Sequence, residues 1–130
     1  MATNAIDLYD LAGGGERVTA LADAFYRRVL ADPLLVPLFR DPSEDHAGRM
    51  ALFLTELLGG PAGHTAERGG PSRMFAAHRG LRIAEAQRAR WVEHMTAAVA
   101  EVDLHPVVRD ALADYVAFGS RAAMSTSHAG

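Results

Sequence analysis

Two histidines in this chain stand on helical stripes of large apolar side chains, and that placement limits the chemistry open to them. His46, Met50, Phe53 and Leu57 follow one another at steps of four, three and four, with Leu54 alongside, so one helix face carries them all. Arg49 flanks that stripe. Met74 and His78 are four apart, with Phe75 beside Met74 and Leu81 just beyond. Trp91, Met95, Ala98 and Val102 make a third stripe, and Phe25 and Tyr26 are adjacent. A histidine on an apolar helix face is more often a hydrogen-bonded core or rim residue than a ligand. Two of them on separate helices weigh against that reading without displacing it. Methionine and aromatic stripes are ordinary core material, and Trp91 by itself reads equally well as core.

If the histidines bind something, most metal chemistry is already excluded. Structural zinc wants about four nitrogen, sulfur or oxygen ligands and catalytic zinc about three. Here there is no cysteine, and neither histidine stripe carries a carboxylate. No G-x-S-x-G motif supports a serine hydrolase, and the acids fall on outward faces. Gly13-Gly14-Gly15 follows a helical pattern and not a strand, so it is no phosphate-binding fingerprint. A flat apolar cofactor that brings its own four metal ligands fits better. Haem needs one protein nitrogen, apolar walls, and a cation for its carboxylates at the edge.

The elements that must position these residues are helical. The chain has 130 residues, 49% of them hydrophobic and 22% charged, with a net charge of −3. That length predicts one domain over residues 1–130. The mildly acidic balance argues against a nucleic-acid partner, whose phosphates call for many cations. The absence of cysteine excludes disulfides, iron–sulfur clusters and a covalent C-x-x-C-H haem tether. Residues Met1 to Asp7 lack the basic-then-apolar pattern of a secretory signal, and no apolar run approaches a membrane span. A cytoplasmic protein is expected.

Alanine is abundant and apolar positions recur every three or four residues, which predicts an all-α fold. Helices are predicted over Asp7–Leu11 and Glu16–Ala31, the second with Val18, Leu21, Ala22, Phe25 and Val29 inward. A helical turn follows over Leu34–Phe39. The capping-box pattern Asp41-Pro42-Ser43-Glu44 predicts a helix from Pro42 to Leu58, stopped by Gly59-Gly60-Pro61. Residues Ala62 to Pro71 read as a loop, and a short helix is predicted over Ser72–Arg79. Two long helices, Ala84–Val102 and Pro106–Met124, should pair antiparallel, with residues 125–130 frayed. Glu16, Arg17, Arg27, Arg28, Glu85, Arg88 and Arg90 read as solvated surface.

Taken in order along the chain, these residues resemble the truncated haemoglobins, and within them group II. The resemblance runs from Leu8 to about Met124. It is carried by Tyr9-Asp10-x-Ala12-Gly13-Gly14, Phe25-Tyr26, Phe39, and Leu52-Phe53-Leu54 leading to Gly59-Gly60-Pro61. Arg68-Gly69-x-Pro71, His78, Arg82-Ile83 and Trp91 complete it. Each fragment is common by itself; the ordered set is specific. A tryptophan thirteen residues after the candidate axial histidine marks the group II branch. Leu57-Leu58 stands where an aromatic pair is common, and Phe39 where close relatives often carry tyrosine. The segment from Phe39 to Gly59 is one residue shorter than in close relatives, and the one before His78 one longer.

The resemblance implies a two-over-two helical sandwich around haem b (iron protoporphyrin IX). His78 is then the proximal ligand to the iron. Tyr26, His46 and Trp91 are the donors on the ligand side, and Phe39, Met50, Phe53, Met74 and Phe25 pack the pocket. Arg49 and Arg82 complete the cofactor-binding set, Arg49 as a partner for a propionate. Three donors imply tight oxygen binding with slow release, which suits scavenging, sensing or redox chemistry better than transport. Carbon monoxide and nitric oxide are the related ligands. A haem enzyme, acting as a nitric oxide dioxygenase or peroxidase with an external reductase, stays open at this point. So does a haem-free helical scaffold, a monomer or homodimer, and a resting state in which His46 also ligates the iron.

Overall fold

The computed structural model describes residues 8–39, 41, 44–61, 69 and 74–129. The predicted helix starts at Asp7, Pro42 and Ser72, most of the loop over 62–71, and Arg68 and Pro71 of the motif lie outside the described residues. Among the described residues every regular element is helical: α1 (Leu8–Ala12), α2 (Gly14–Leu30), a 3-10 turn (Val36–Leu38), α3 (His46–Leu57), α4 (Glu85–Val102) and α5 (Pro106–Ser127). Residues 74–76 add a helical turn before His78. α2 packs on α3 and α4, α4 packs on α5, and α1 closes over α2 and α5. This is the two-over-two arrangement, with α2 and α3 as one pair and α4 and α5 as the other.

The inward stripe of α2 is the centre of the core. Val18, Leu21, Ala22, Phe25 and Val29 are all buried there, against Leu54, Met95, Ala98, Val99, Val108 and Leu112. Two separated sequence fragments meet at one edge. The Tyr9 backbone N–H donates to the Leu58 carbonyl at 2.9 Å. A Cβ on Gly60 would lie 2.8 Å from the Tyr9 ring, so only glycine lets α1 dock on the end of α3.

Three expectations change. α3 begins at His46, because Asp45 and not Asp41 caps it, its carboxylate accepting the Gly48 N–H at 2.8 Å. α5 runs past the predicted end at Met124 to Ser127, which is fully buried and hydrogen-bonded. Arg17 and Arg27 are exposed, as expected, and Arg28 is half-buried, but all three bridge helices. Arg27 and Arg28 of α2 both reach Glu101 of α4, at 2.6 and 2.8 Å. Arg17 donates to the carbonyls of Val102 and Asp103 at the end of α4.

Asp32 ties the turn after α2 to α4. Its carboxylate accepts from His94 Nε2 at 2.7 Å, from Arg90 at 2.9 Å and from the Leu34 N–H at 2.9 Å. His94 first, then Leu34 and Arg90, hold its pKa below the ordinary aspartate value. An unfolded aspartate titrates near about 4, so the stability supplied by this group is complete above that pH. It is lost as pH falls through the lower folded value. Asp32→Asn is therefore expected to lower stability at neutral pH and to flatten its acid limb. Urea unfolding from about pH 7 down to about pH 3 measures both, and an acid limb unchanged by the substitution would refute the assignment.

Candidate functional site

A cavity of about 470 Å³ lies between the two helix pairs, with the wall drawn from every long element. α2 contributes Tyr26, and Phe39 follows the 3-10 turn. α3 contributes His46, Arg49, Met50, Phe53 and Leu54. Met74, Phe75 and His78 come from the helical turn and the residues after it, and Trp91 and Met95 from α4. Nine of the residues singled out in the sequence meet here: Tyr26, Phe39, His46, Arg49, Met50, Phe53, Met74, His78 and Trp91. Two do not line it. Phe25 is fully buried one layer behind, edge-on to Tyr26 at 5.0 Å and to Trp91 at 4.7 Å between ring centroids. Arg82 is exposed on a left-handed backbone turn (φ 52°), and its N–H donates to the Ser127 carbonyl. Phe25 thus packs behind Tyr26 and Trp91.

His78 is oriented before anything binds. Its Nδ1–H donates to the Met74 carbonyl at 2.9 Å, one helical turn back. That bond selects the tautomer with a lone pair on Nε2, the arrangement a metal-ligating histidine needs. Among the described residues no protein group engages Nε2.

Tyr26 and Trp91 face the same cavity with rings 6.0 Å apart at 82°. Among the described residues neither the Tyr26 hydroxyl nor the Trp91 indole N–H has a protein acceptor. Burial pushes the Tyr26 pKa well above the ordinary tyrosine value, so the hydroxyl keeps its proton. Phe39 stacks with Trp91 at 6.4 Å and meets Tyr26 edge-on at 5.9 Å, fixing both rings. Two donors lining a largely apolar space, one on a buried tyrosine and one on a half-buried tryptophan, and without an acceptor among the described residues, fit a ligand that brings its own partial negative charge.

His46 opens α3 and stacks on Tyr26 at 5.8 Å, but its Nε2 is 2.9 Å from the Asp41 carbonyl. That bond has to be given up before Nε2 serves any ligand in the cavity. Arg49 sits at the rim with its side chain 40% exposed, paired to Glu44 at 2.5 Å.

Several wall residues were not singled out in the sequence. Arg88 was taken for surface, yet its side chain is only 15% exposed and lines the cavity. Glu85 holds it from one side and Ser120 Oγ accepts from it at 3.3 Å. α5 supplies Tyr115, Val116, Gly119, Ser120 and Ala123, and burial raises the Tyr115 pKa as well. Only Arg88 had a usable cue, being three residues before Trp91 and so on its face of α4.

An imidazole with a free lone pair, apolar walls and a cation at the rim fit haem. Among the described residues no cluster of three or more histidines or acids suits a bare metal ion, and no helix is long and apolar enough to cross a membrane. The bacterial-like globin family model matches residues 7–125. The group 2 truncated hemoglobin YjbI of Bacillus subtilis is 35% identical over 99 residues, covering 76% of this chain and 74% of that protein. The crystal structure of the group II truncated hemoglobin from Bacillus anthracis matches with a TM-score of 0.86 at 27% identity, covering 95% of each chain. That of a truncated oxygen-avid haemoglobin from Bacillus subtilis matches with a TM-score of 0.81 at 32% identity, covering 89% of this chain and 97% of that one.

Proposed function

The chain belongs to the bacterial-like globins, in the group II branch of the truncated haemoglobins, a family of haem-based gas binders, and from that premise we propose that it holds haem b through His78 and binds dioxygen tightly beside Tyr26 and Trp91. Carbon monoxide and nitric oxide are its other ligands. When bound, haem supplies a metal centre with a coordination position for a diatomic gas.

The chain's own residues do the rest. His78, aligned by the Met74 carbonyl, presents Nε2 to the metal without first reorienting. Phe39, Met50, Phe53 and Met95 keep water from the site, so a hydrogen bond made inside it is stronger than one made in water. Tyr26 and Trp91 donate to a ligand that gains negative charge on binding and leave an uncharged one largely alone. Arg49, at the rim, offers its guanidinium to a haem carboxylate in place of Glu44. With no cysteine in the chain the haem is held without a covalent tether. The oxygen avidity of the Bacillus subtilis relative supports slow release here, which favours scavenging or redox use of the gas over its transport.

The single observation that carries this reading is one largely apolar cavity holding a pre-oriented imidazole and the Tyr26 and Trp91 donors, which have no acceptor among the described residues. Titration of the purified protein with haemin tests it. One equivalent of haem is expected to give a sharp Soret band that shifts on reduction and again on adding carbon monoxide. Acid extraction should release unmodified iron protoporphyrin IX. Failure to take up stoichiometric haem overturns the proposal. Sustained turnover of nitric oxide with an added reductase would reassign the protein as a dioxygenase.

A further inference from the structure

The segment that carries His78 is tied to the far end of the chain at one point. Among the described residues, every long-range hydrogen bond made by residues 74–84 ends on Ser127 or His128. The Gly80 and Arg82 N–H groups both donate to the Ser127 carbonyl, each at 3.1 Å. The Ile83 N–H donates to Ser127 Oγ at 2.9 Å, and that hydroxyl donates onward to the Met124 carbonyl at 2.6 Å. His128 Nε2 donates to the Ile83 carbonyl at 2.9 Å. Gly80 and Arg82 are both left-handed (φ 82° and 52°), which turns the chain so that three N–H groups converge on one residue. An arginine holds that conformation only where its surroundings impose it. Ser127 is fully buried.

We propose that Ser127, with His128, is a positioning residue for the His78 imidazole: the tip of α5 clasps the turn after His78 and thereby fixes the direction of Nε2. The inference rests on the assignment of His78 as the haem ligand. From the clasp to the ring the route is short. Gly80 lies two residues after His78, and the Leu81 N–H donates back to the His78 carbonyl at 3.2 Å. The Nδ1 bond to Met74 sets the ring's rotation; the clasp sets where the backbone beneath it stands. α5 also walls the cavity through Tyr115, Val116 and Gly119, so one rigid helix sets both the wall and the ligand's footing.

Two substitutions in the haem-loaded protein test this. Ser127→Ala leaves a buried N–H without its acceptor and should speed haem transfer to excess apomyoglobin about tenfold. His128→Ala, at an exposed position that cannot collapse the core, should speed it about threefold. In the ferrous protein both should shift or broaden the iron–imidazole stretching band in resonance Raman spectra. The same substitutions in a His78→Gly background supplied with free imidazole should leave that band alone, because the ring is then no longer joined to the clasped backbone. A purely structural role would not make the band depend on that covalent link. Wild-type rates and bands in both variants overturn the clasp, as does an equal band shift with free imidazole. Failure of the unsubstituted protein to bind haem would instead overturn the proposed function.

Discussion

His78→Gly is expected to weaken haem binding by more than about a hundredfold, with the Soret band of the purified protein lost or reduced to that of loosely held pigment. Even outer partners of a metal ligand are worth about 10–100-fold in metal affinity, and His78 is the ligand itself. Nothing in the cavity is placed to substitute cheaply. His46 has its Nε2 engaged by the Asp41 carbonyl, and recruiting it costs that bond. Met50 and Met74 offer only thioethers, which are weak donors to ferric iron. Free imidazole should restore the spectrum, since glycine leaves a hole of the ring's own shape beneath the metal. Far-ultraviolet circular dichroism should remain helical, because His78 is outside the buried core. Unchanged pigment uptake by His78→Gly would remove the proximal role and with it the proposed function.

What was legible in the sequence was whatever helical period or backbone geometry imposes locally. The inward stripe of α2 could be read because its residues recur at the helix period, and all of them are buried. The glycines before Pro61 could be read as a stop, although not as the surface on which Tyr9 rests, because that contact joins α1 to the end of α3. The start of α3 was misplaced because two aspartates, Asp41 and Asp45, both qualify as caps, and only the packed structure chooses Asp45. Phe25 and Tyr26 are neighbours in sequence yet point to different layers, one into the core and one into the cavity. Composition cannot make that distinction. Ser127 was hidden for a similar reason: a serine near a chain end looks like a fraying tail, and its burial depends on a turn more than forty residues earlier.

Tyr26→Phe is expected to speed oxygen release about 10–100-fold and Trp91→Phe several-fold, while release of carbon monoxide changes much less. A hydrogen bond to a charged acceptor contributes about 1.5–3 kcal/mol, and each 1.4 kcal/mol is about tenfold in an equilibrium constant. Carbon monoxide gains little charge on binding, so it serves as the control for changes of shape. Both substitutions keep an aromatic ring against Phe25 and remove only the hydroxyl or the indole's pyrrole ring with its N–H. Because the two donors address one acceptor, their effects should not add: the double variant should be slower to release oxygen than the product of the single factors predicts. The pH profile separates the tyrosine from its alternatives. An ordinary tyrosine begins to lose its proton near about pH 10. Burial raises the Tyr26 pKa beyond that, so the O–H persists and the release rate should stay flat to about pH 10. A rise in release rate well below that pH would rule out the Tyr26 O–H as the decisive donor. Oxygen release as slow in Tyr26→Phe as in the unsubstituted protein would exclude Tyr26 from the ligand side altogether.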